Sequence, residues 1–124
     1  MENKELIKLT DCEELVMSCV WDIGEDVTLL EVIDATRTKF QKDWKRQTVS
    51  TFLLHLVDKE YLSLYRSGKV FYYHPLVEKE YYKKIQSQQF IDFWYDGSPV
   101  NLVATLCKDG KLTKEDIESL KELF

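Results

Sequence analysis

The sequence predicts a mainly α-helical (α+β) fold, in which three helices and a β-hairpin are followed by a second helical region. Only 4 glycines and 2 prolines interrupt the 124 residues, which favours long helices over an all-β sandwich. Helix-capping signals recur along the chain, each followed by apolar residues at helical spacing. One Val/Phe/Tyr-rich segment next to a Ser-Gly pair is typical of a hairpin instead.

The first two helices each begin at a capping box, in which glutamate follows threonine three residues later. Residues 10–13 (Thr-Asp-Cys-Glu) open the first helix, and Gly24 is placed to end it. Residues 28–31 (Thr-Leu-Leu-Glu) open the second, shorter helix. The apolar residues predicted to face the core are Leu15, Val16, Cys19 and Val20 in the first helix, and Leu29, Val32, Ile33, Thr36 and Phe40 in the second.

The third helix follows a polar loop at residues 41–46 and is predicted to have two contrasting faces. Its core-facing stripe, at i, i+3, i+4, i+7 and i+8, consists of Val49, Phe52, Leu53, Leu56 and Val57. The opposite face carries Gln47, Ser50, Thr51, Leu54, His55 and Asp58. Small hydrogen-bonding side chains in place of Glu and Lys are unusual for a face that is merely solvated.

The hairpin is predicted from residues 61–66 and 69–73, with Ser67-Gly68 as its two-residue turn and Pro75 at its end. These elements define a first domain at residues 1–75. The second region, residues 76–124, contains helices that are broken at residues 97–99 (Gly-Ser-Pro). A short helix is predicted at residues 100–107. A last helix opens with a third capping signal at Thr113.

The second region is rich in aromatic and apolar residues that so short a helical array cannot bury alone, which predicts a partner chain. In the last helix, Ile117, Leu120 and Leu123 are expected to point inward. We expect homodimerisation through Tyr81, Tyr82, Ile85, Phe90, Phe93, Trp94, Leu102, Leu106, Ile117 and Leu120.

Positive charge is concentrated in one part of an acidic chain. The net charge is -5, which taken whole does not suggest a nucleic-acid binder. Residues 37–46 nevertheless hold five positive side chains and one negative one, and Arg66 and Lys69 flank the hairpin turn. Phosphate binding requires such a cluster, because each neutralised phosphate releases condensed counterions. A solvated basic loop is the alternative, but the adjacent polar helix face and hairpin favour DNA binding.

The order helix, helix, helix, hairpin is that of a winged helix, whose third helix enters the major groove of DNA. The predicted DNA-contacting residues are Lys42, Lys45, Arg46, Gln47, Thr48, Ser50, Thr51, His55, Arg66 and Lys69. The polar residues Gln47, Ser50, Thr51 and His55 would reach base edges or nearby phosphates, whereas the basic ones would position the domain. A winged helix used only for protein–protein contact is the alternative function.

Other classes of protein and site are less well supported. We expect a cytoplasmic protein, because no apolar run approaches the roughly 20 residues of a membrane span and the N-terminus lacks a signal peptide. The odd set of Cys12, Cys19 and Cys107 suits neither a disulfide framework nor a zinc finger, and no cofactor or metal is expected. Cys12 and Cys19 are expected to be small buried residues, with a redox or metal role as the alternative. An enzyme is not predicted, because no motif unites Cys107 with His55 or His74.

The sequence resembles the penicillinase-repressor family of winged-helix regulators, also named after BlaI, MecI and CopY. The resemblance covers residues 9–124. Its most specific parts are residues 14–17 (Glu-Leu-Val-Met) with 20–21 (Val-Trp), 41–44 (Gln-Lys-Asp-Trp), 48–53 (Thr-Val-Ser-Thr-Phe-Leu), 71–73 (Phe-Tyr-Tyr), 101–103 (Asn-Leu-Val) and 117–123 (Ile-Glu-Ser-Leu-Lys-Glu-Leu). The resemblance implies a homodimeric repressor of antibiotic (β-lactam) resistance or a related stress response. It also implies inverted-repeat operators, often with TACA/TGTA half-sites, and intertwined C-terminal helices.

The chain departs from the family pattern at two places that concern induction. β-Lactam repressors of the family are cleaved by a sensor protease at an Asn–Phe bond, and the matching residues here are Thr105 and Leu106. Copper-responsive members end in a pair of Cys-x-Cys motifs, whereas this chain has Cys107 alone in that region. The sequence therefore leaves open whether proteolysis, a ligand or a metal releases the repressor.

Overall fold

The computed structural model describes residues 5–124 and is mainly helical, with one two-stranded antiparallel sheet. The elements are α1 (Asp11–Ile23), α2 (Leu29–Phe40), α3 (Arg46–Asp58), β1 (Leu62–Ser67), β2 (Val70–Pro75), α4 (Lys79–Trp94), α5 (Pro99–Lys108) and α6 (Lys114–Lys121). The chain divides into two compact units, one ending at Lys79 and the other running from Glu80 to Phe124. The predicted fold class is confirmed.

Both predicted capping boxes are present at the starts of α1 and α2. The Thr10 hydroxyl accepts a hydrogen bond from the Glu13 amide at 3.2 Å, and the Glu13 carboxylate accepts one from the Thr10 amide at 3.0 Å. Thr28 and Glu31 repeat this exchange. Gly24 ends α1 with φ at +81°, a left-handed conformation that glycine adopts without steric cost. The local sequence thus fixes the start of both helices and the end of α1.

The first unit has a core to which α1, α2, α3 and the start of β1 contribute. Its fully buried side chains are Val16, Met17, Cys19, Val20, Val27, Val32, Thr36, Val49, Leu53, Leu56, Tyr61 and Leu62. The predicted core-facing residues Val49, Leu53 and Leu56 of α3 are therefore confirmed. Leu15, predicted to face the core, is half-buried, and Met17 is fully buried instead.

The hairpin differs from the prediction by one residue at its turn. Ser67 pairs with Val70, so the two turn residues are Gly68 and Lys69, where Ser67 and Gly68 were predicted. Gly68 has φ at +64°, which suits the first central position of a type II′ turn. Lys69 consequently lies at the tip of the hairpin. Pairing along the whole hairpin sets this register, and the local Ser-Gly signal does not determine it.

In the second unit, the helix caps agree with the prediction, but the burial of the apolar face of α6 does not. Thr113 and Asp116 form the predicted capping box of α6, and Ser98 caps α5. The predicted inward position of the apolar residues of α6 is wrong for the single chain, since Ile117 is 36% and Leu120 39% exposed. The eight-residue helix buries no side chain. Among residues 5–124, no helix is long and apolar enough to cross a membrane.

Candidate nucleic-acid interface

The face of α3 that points away from the core presents polar side chains to solvent. Gln47, Thr51 and His55 are exposed, and Ser50 is half-buried. The Thr51 hydroxyl donates a hydrogen bond to the Gln47 carbonyl at 2.9 Å, which leaves the hydroxyl oxygen available as an acceptor. This face can therefore contact a polar ligand over about two turns of helix.

A groove between the start of α2, the start of α3 and the hairpin brings predicted DNA-contacting residues together. Its lining residues are Thr28, Leu29, Leu30, Arg46, Ser50, Leu64, Lys69, Val70, Phe71 and Tyr73. None of these lining residues, all from the described range 5–124, is acidic. Arg46 and Lys69 thus place two positive charges on one groove, although they are 23 positions apart in the sequence. Ser50 contributes a hydroxyl between them and the exposed α3 face.

The start of α3 adds free backbone donors to this positive region. Lys45 occupies the N-cap position, and within the described residues its side chain makes no capping hydrogen bond. The first amides of α3 therefore remain available to an anion, which the helix dipole also favours. Thr48 lies half-buried in this first turn.

The other predicted basic residues are held by local contacts. Arg66 donates through Nε to the Gly68 carbonyl at 2.8 Å, and its guanidinium lies 5.6 Å from the centre of the Phe71 ring. Lys42 lies 5.6 Å from the centre of the Trp44 ring, which packs against Phe52. These contacts orient both cations at the surface.

Lys39 is the exception within the basic cluster of residues 37–46. Its ammonium donates to Ser18 Oγ at 2.7 Å and forms an ion pair with Asp22. Because this pairing neutralises Lys39, the positive charge available to an external phosphate is smaller than the sequence count indicates.

His55 lies at the last turn of α3, and the structure groups it with the start of α1. Its Nδ1 is 3.3 Å from Glu13 Oε2, while Lys59 Nζ donates to Glu13 Oε1 at 2.5 Å. Burial acts to raise the pKa of Glu13, but the hydrogen bonds from Lys59 and Thr10 outweigh it and the pKa is lowered. Sequence reasoning missed this cluster, because no local pattern connects Glu13 with a lysine 46 positions later.

The predicted dimerisation residues differ in their exposure. Phe93 is 74% and Trp94 65% exposed, and their rings meet edge to face at 4.7 Å. Phe90 is exposed as well, and Tyr82 is buried. The half-buried members are Tyr81, Ile85, Leu102 and Leu106. The exposed aromatics at the end of α4 therefore form the most open apolar surface among the predicted residues.

The three cysteines are free thiols in different environments. Cys19 is buried, Cys12 half-buried and Cys107 exposed. Burial raises the pKa of the Cys19 thiol, which disfavours the reactive thiolate. The prediction of a small buried residue is confirmed for Cys19 and wrong for the degree of burial of Cys12. No group of three or more His, Cys, Asp or Glu residues suited to a metal ion occurs within residues 5–124.

Three packed helices, a hairpin with a charged tip and an exposed polar third helix define a winged-helix protein. The family model of the penicillinase repressor matches residues 9–124, and the chain belongs to that family.

Known relatives agree over nearly the whole chain. The penicillinase repressor of Bacillus licheniformis is 26% identical over 121 residues, which covers 98% of this chain and 92% of that protein. The methicillin resistance regulatory protein MecI of Staphylococcus aureus is 28% identical over 124 residues, covering 100% of this chain and 98% of MecI.

Solved structures resemble nearly two thirds of the chain. The solution structure of the DNA-binding domain of the repressor BlaI matches with a TM-score of 0.53 and 29% identity, covering 64% of this chain and 94% of that domain. Monomeric BlaI of Bacillus licheniformis in complex with the blaP half-operator matches with a TM-score of 0.52 and 28% identity. That match covers 63% of this chain and 92% of the BlaI chain.

Proposed function

We propose that the chain is a transcriptional repressor that binds double-stranded operator DNA through α3 and the hairpin. The observation that carries the proposal is the groove in which Arg46, Ser50 and Lys69 meet with no acidic lining residue in the described range. Positive charge arranged beside an exposed polar helix face is what phosphate contact and base readout require together. The BlaI complex with a half-operator, whose fold this chain shares, supports the same reading.

The DNA-contacting residues divide by chemistry. Gln47, Ser50 and Thr51 are proposed to meet base edges in the major groove. The proposed phosphate contacts are Lys42, Lys45, Arg46, Arg66 and Lys69, with Thr48 beside the free amides at the start of α3. His55, held beside Glu13 at the far end of α3, is proposed as an outer contact only.

We further propose a homodimer, with DNA binding assigned to residues 1–75 and dimerisation to residues 76–124. The support is the exposed apolar surface of α4 and of the C-terminal segment, in particular Phe93, Trp94 and Leu123. A two-fold dimer presents two recognition helices and therefore fits an inverted-repeat operator.

The proposed role is control of antibiotic (β-lactam) resistance or a related stress response in the cytoplasm, with no catalytic activity. The names of the relatives support this role, since penicillinase repressor and MecI both match along the chain. The two histidines lie beside different carboxylates, His55 beside Glu13 and His74 beside Asp26, and no motif unites either with Cys107.

A protein–protein interaction module without DNA binding is the second candidate. The observation that favours it is the apolar part of the groove, where Leu30, Val70 and Phe71 are exposed. Exposed apolar surface of this kind marks contact sites for proteins.

Duplex binding as a function of salt separates the two candidates. A repressor should lose affinity steeply with rising salt, and Arg46→Ala or Lys69→Ala should each reduce the salt slope by about one unit. Gln47→Ala or Thr51→Ala should instead change sequence preference, since a good base contact contributes about 1–3 kcal/mol. Unchanged affinity in the Arg46→Ala, Lys69→Ala double variant would contradict DNA binding through the groove. If DNA binding is observed, selection of bound duplexes from a random pool would identify the operator sequence.

A further inference from the structure

One carboxylate in the loop between α1 and α2 contacts both strands of the hairpin. Asp26 Oδ2 accepts a hydrogen bond from the Tyr65 hydroxyl of β1 at 2.5 Å. Asp26 Oδ1 lies 2.7 Å from Nδ1 of His74 in β2. The next residue, Val27, exchanges backbone hydrogen bonds with Tyr73 at 3.0 and 2.8 Å. The hairpin is therefore attached to the helical body at two consecutive residues, 26 and 27.

The two faces of the hairpin have different partners. Tyr65 pairs with Tyr72 and Ser63 with His74, so strand alternation places these side chains on one face. The Tyr65 and Tyr72 rings stack there with centroids 5.6 Å apart. The other face carries Leu64, Phe71 and Tyr73, which line the groove that contains Arg46 and Lys69. Asp26 thus contacts the hairpin on the face opposite Leu64, Phe71 and Tyr73.

The contacts of Asp26 keep its carboxylate charged. The hydrogen bond from Tyr65, and then the one from His74, lower the pKa of Asp26 below its usual range. The same contact raises the pKa of the Tyr65 hydroxyl, whose proton it retains. A negative charge therefore stands at the base of a hairpin whose tip carries Lys69. Electrostatics alone would make this charge unfavourable for DNA binding.

We propose that Asp26 is a positioning residue for DNA binding, which fixes the hairpin so that Lys69 and Arg46 are correctly spaced before DNA arrives. This inference rests on the proposed function. A hairpin without the Asp26 contacts would still be bound through Val27 and Tyr73 but would be held less firmly, and it would lose the added freedom on binding, which weakens affinity. The affinity gained because Asp26 positions the hairpin is then larger than the affinity lost to repulsion between its charge and the DNA.

The test compares two variants of the full chain that each remove one negative charge from adjacent positions. Asp26→Asn preserves the shape of the side chain but replaces its two charged acceptor oxygens with one neutral oxygen and an NH2 group, and hydrogen bonds to a charged acceptor are the stronger ones. Glu25→Gln is the matched control, because Glu25 is exposed. Affinity is measured over a range of salt concentrations with a duplex that carries an inverted TACA/TGTA repeat, and with a scrambled duplex of the same composition.

The two variants are expected to differ in their affinity for DNA. Glu25→Gln should bind as tightly as the unsubstituted chain or more tightly, because a repulsive charge is lost. Asp26→Asn should bind both duplexes about threefold to tenfold more weakly, the effect of one modest hydrogen bond. Its salt slope should fall by about one unit, because a misplaced hairpin loses the phosphate contact of Lys69. A general loss of folded protein would lower the active fraction but leave the slope unchanged.

A third variant tests the contact between Asp26 and Tyr65 of β1. Tyr65→Phe removes the hydroxyl and keeps the ring that stacks on Tyr72, so it should show part of the loss. The Asp26→Asn, Tyr65→Phe double variant should then lose less binding free energy than the two single variants together, because both substitutions act on the same Tyr65–Asp26 hydrogen bond.

The DNA-free protein gives an independent readout. In Asp26→Asn, the Val27 and Tyr73 amides should exchange with solvent hydrogen faster than in the Glu25→Gln control. Equal exchange rates, or Asp26→Asn binding as tightly as Glu25→Gln, would overturn the role of Asp26 and leave the proposed function standing. Failure of the unsubstituted chain to bind either duplex would instead overturn the proposed function itself.

Discussion

The two units of the chain differ in how much apolar surface each buries for itself. In the unit that ends at Lys79, Val20, Val32, Leu53 and Leu56 are completely buried. Among residues 80–124, all of which the structure describes, Tyr82 is the one buried side chain. The first unit thus contains its own core, whereas the second has helices whose apolar side chains remain at the surface. The comparison indicates that stability should depend on single core residues in the first unit and on association in the second.

The largest effect is expected from the core of the first unit. Leu53→Ala should lower the free energy of unfolding by about 2–5 kcal/mol, because it leaves a cavity among packed side chains. Leu54→Ala is the matched control in the next position, since Leu54 is 45% exposed and its truncation should change stability by about 0.5 kcal/mol or less. Urea unfolding measures both. Similar losses in the two variants would contradict the burial contrast along α3.

The second expected effect concerns association through the second unit. Phe93→Ser and Trp94→Ser should each weaken dimerisation about thirtyfold, as expected for aromatic anchors at an interface. Sedimentation at micromolar concentration measures the change. The control is Gln89→Ala, an exposed polar residue of the same helix that should leave the dimer intact. If the unsubstituted chain is monomeric under these conditions, the exposed aromatic residues do not mediate dimerisation.

A smaller effect is expected at Glu13, which joins α1 to the end of α3. Glu13→Gln should lower the free energy of unfolding by about 1–3 kcal/mol, because Lys59 loses its charged acceptor. Asp34→Asn, at an exposed position of α2, is the control for loss of one carboxylate. Chemical unfolding at neutral pH would detect the difference.

The contribution of Glu13 should also depend on pH with a defined sign. Its pKa is lowered in the folded state, so the stabilisation is present above the ordinary value of 4.5 and is lost as the pH falls through the folded pKa. The unsubstituted chain should therefore lose stability more steeply than Glu13→Gln below about pH 4.5. Parallel curves for the two proteins in that range would contradict the ionised state of Glu13.

The smallest expected effect is the absence of a cleavage. A β-lactam sensor protease of the family type should not cut between Thr105 and Leu106, because Thr lacks a carboxamide and a mismatched subsite lowers efficiency by powers of ten. Both residues also lie half-buried within α5, and the Thr105 hydroxyl donates to the Asn101 carbonyl at 3.2 Å. Co-expression with such a sensor, addition of β-lactam and measurement of fragment masses provide the test. Fragments ending at Thr105 and beginning at Leu106 would contradict it, and Thr105→Asn with Leu106→Phe is the variant expected to be cut.

The sequence by itself determined the features that depend on neighbouring residues. The capping boxes at Thr10, Thr28 and Thr113 are confirmed, because a side chain three residues away completes each of them. The helix end at Gly24 is confirmed as well. The core-facing stripe of α3 was equally predictable, since helical periodicity alone decides which residues share a face. The basic residues of the candidate interface were also visible as a local excess of charge.

Only the tertiary structure decided which distant residues meet. It paired Lys39 with Asp22, placed His55 beside Glu13 and attached the hairpin at Asp26, because each contact joins elements that are far apart in sequence. It also moved the hairpin turn to Gly68 and Lys69, since the register depends on every pair along both strands. Periodicity predicts that Ile117 and Leu120 share an apolar face, but whether that face is covered depends on what packs against it.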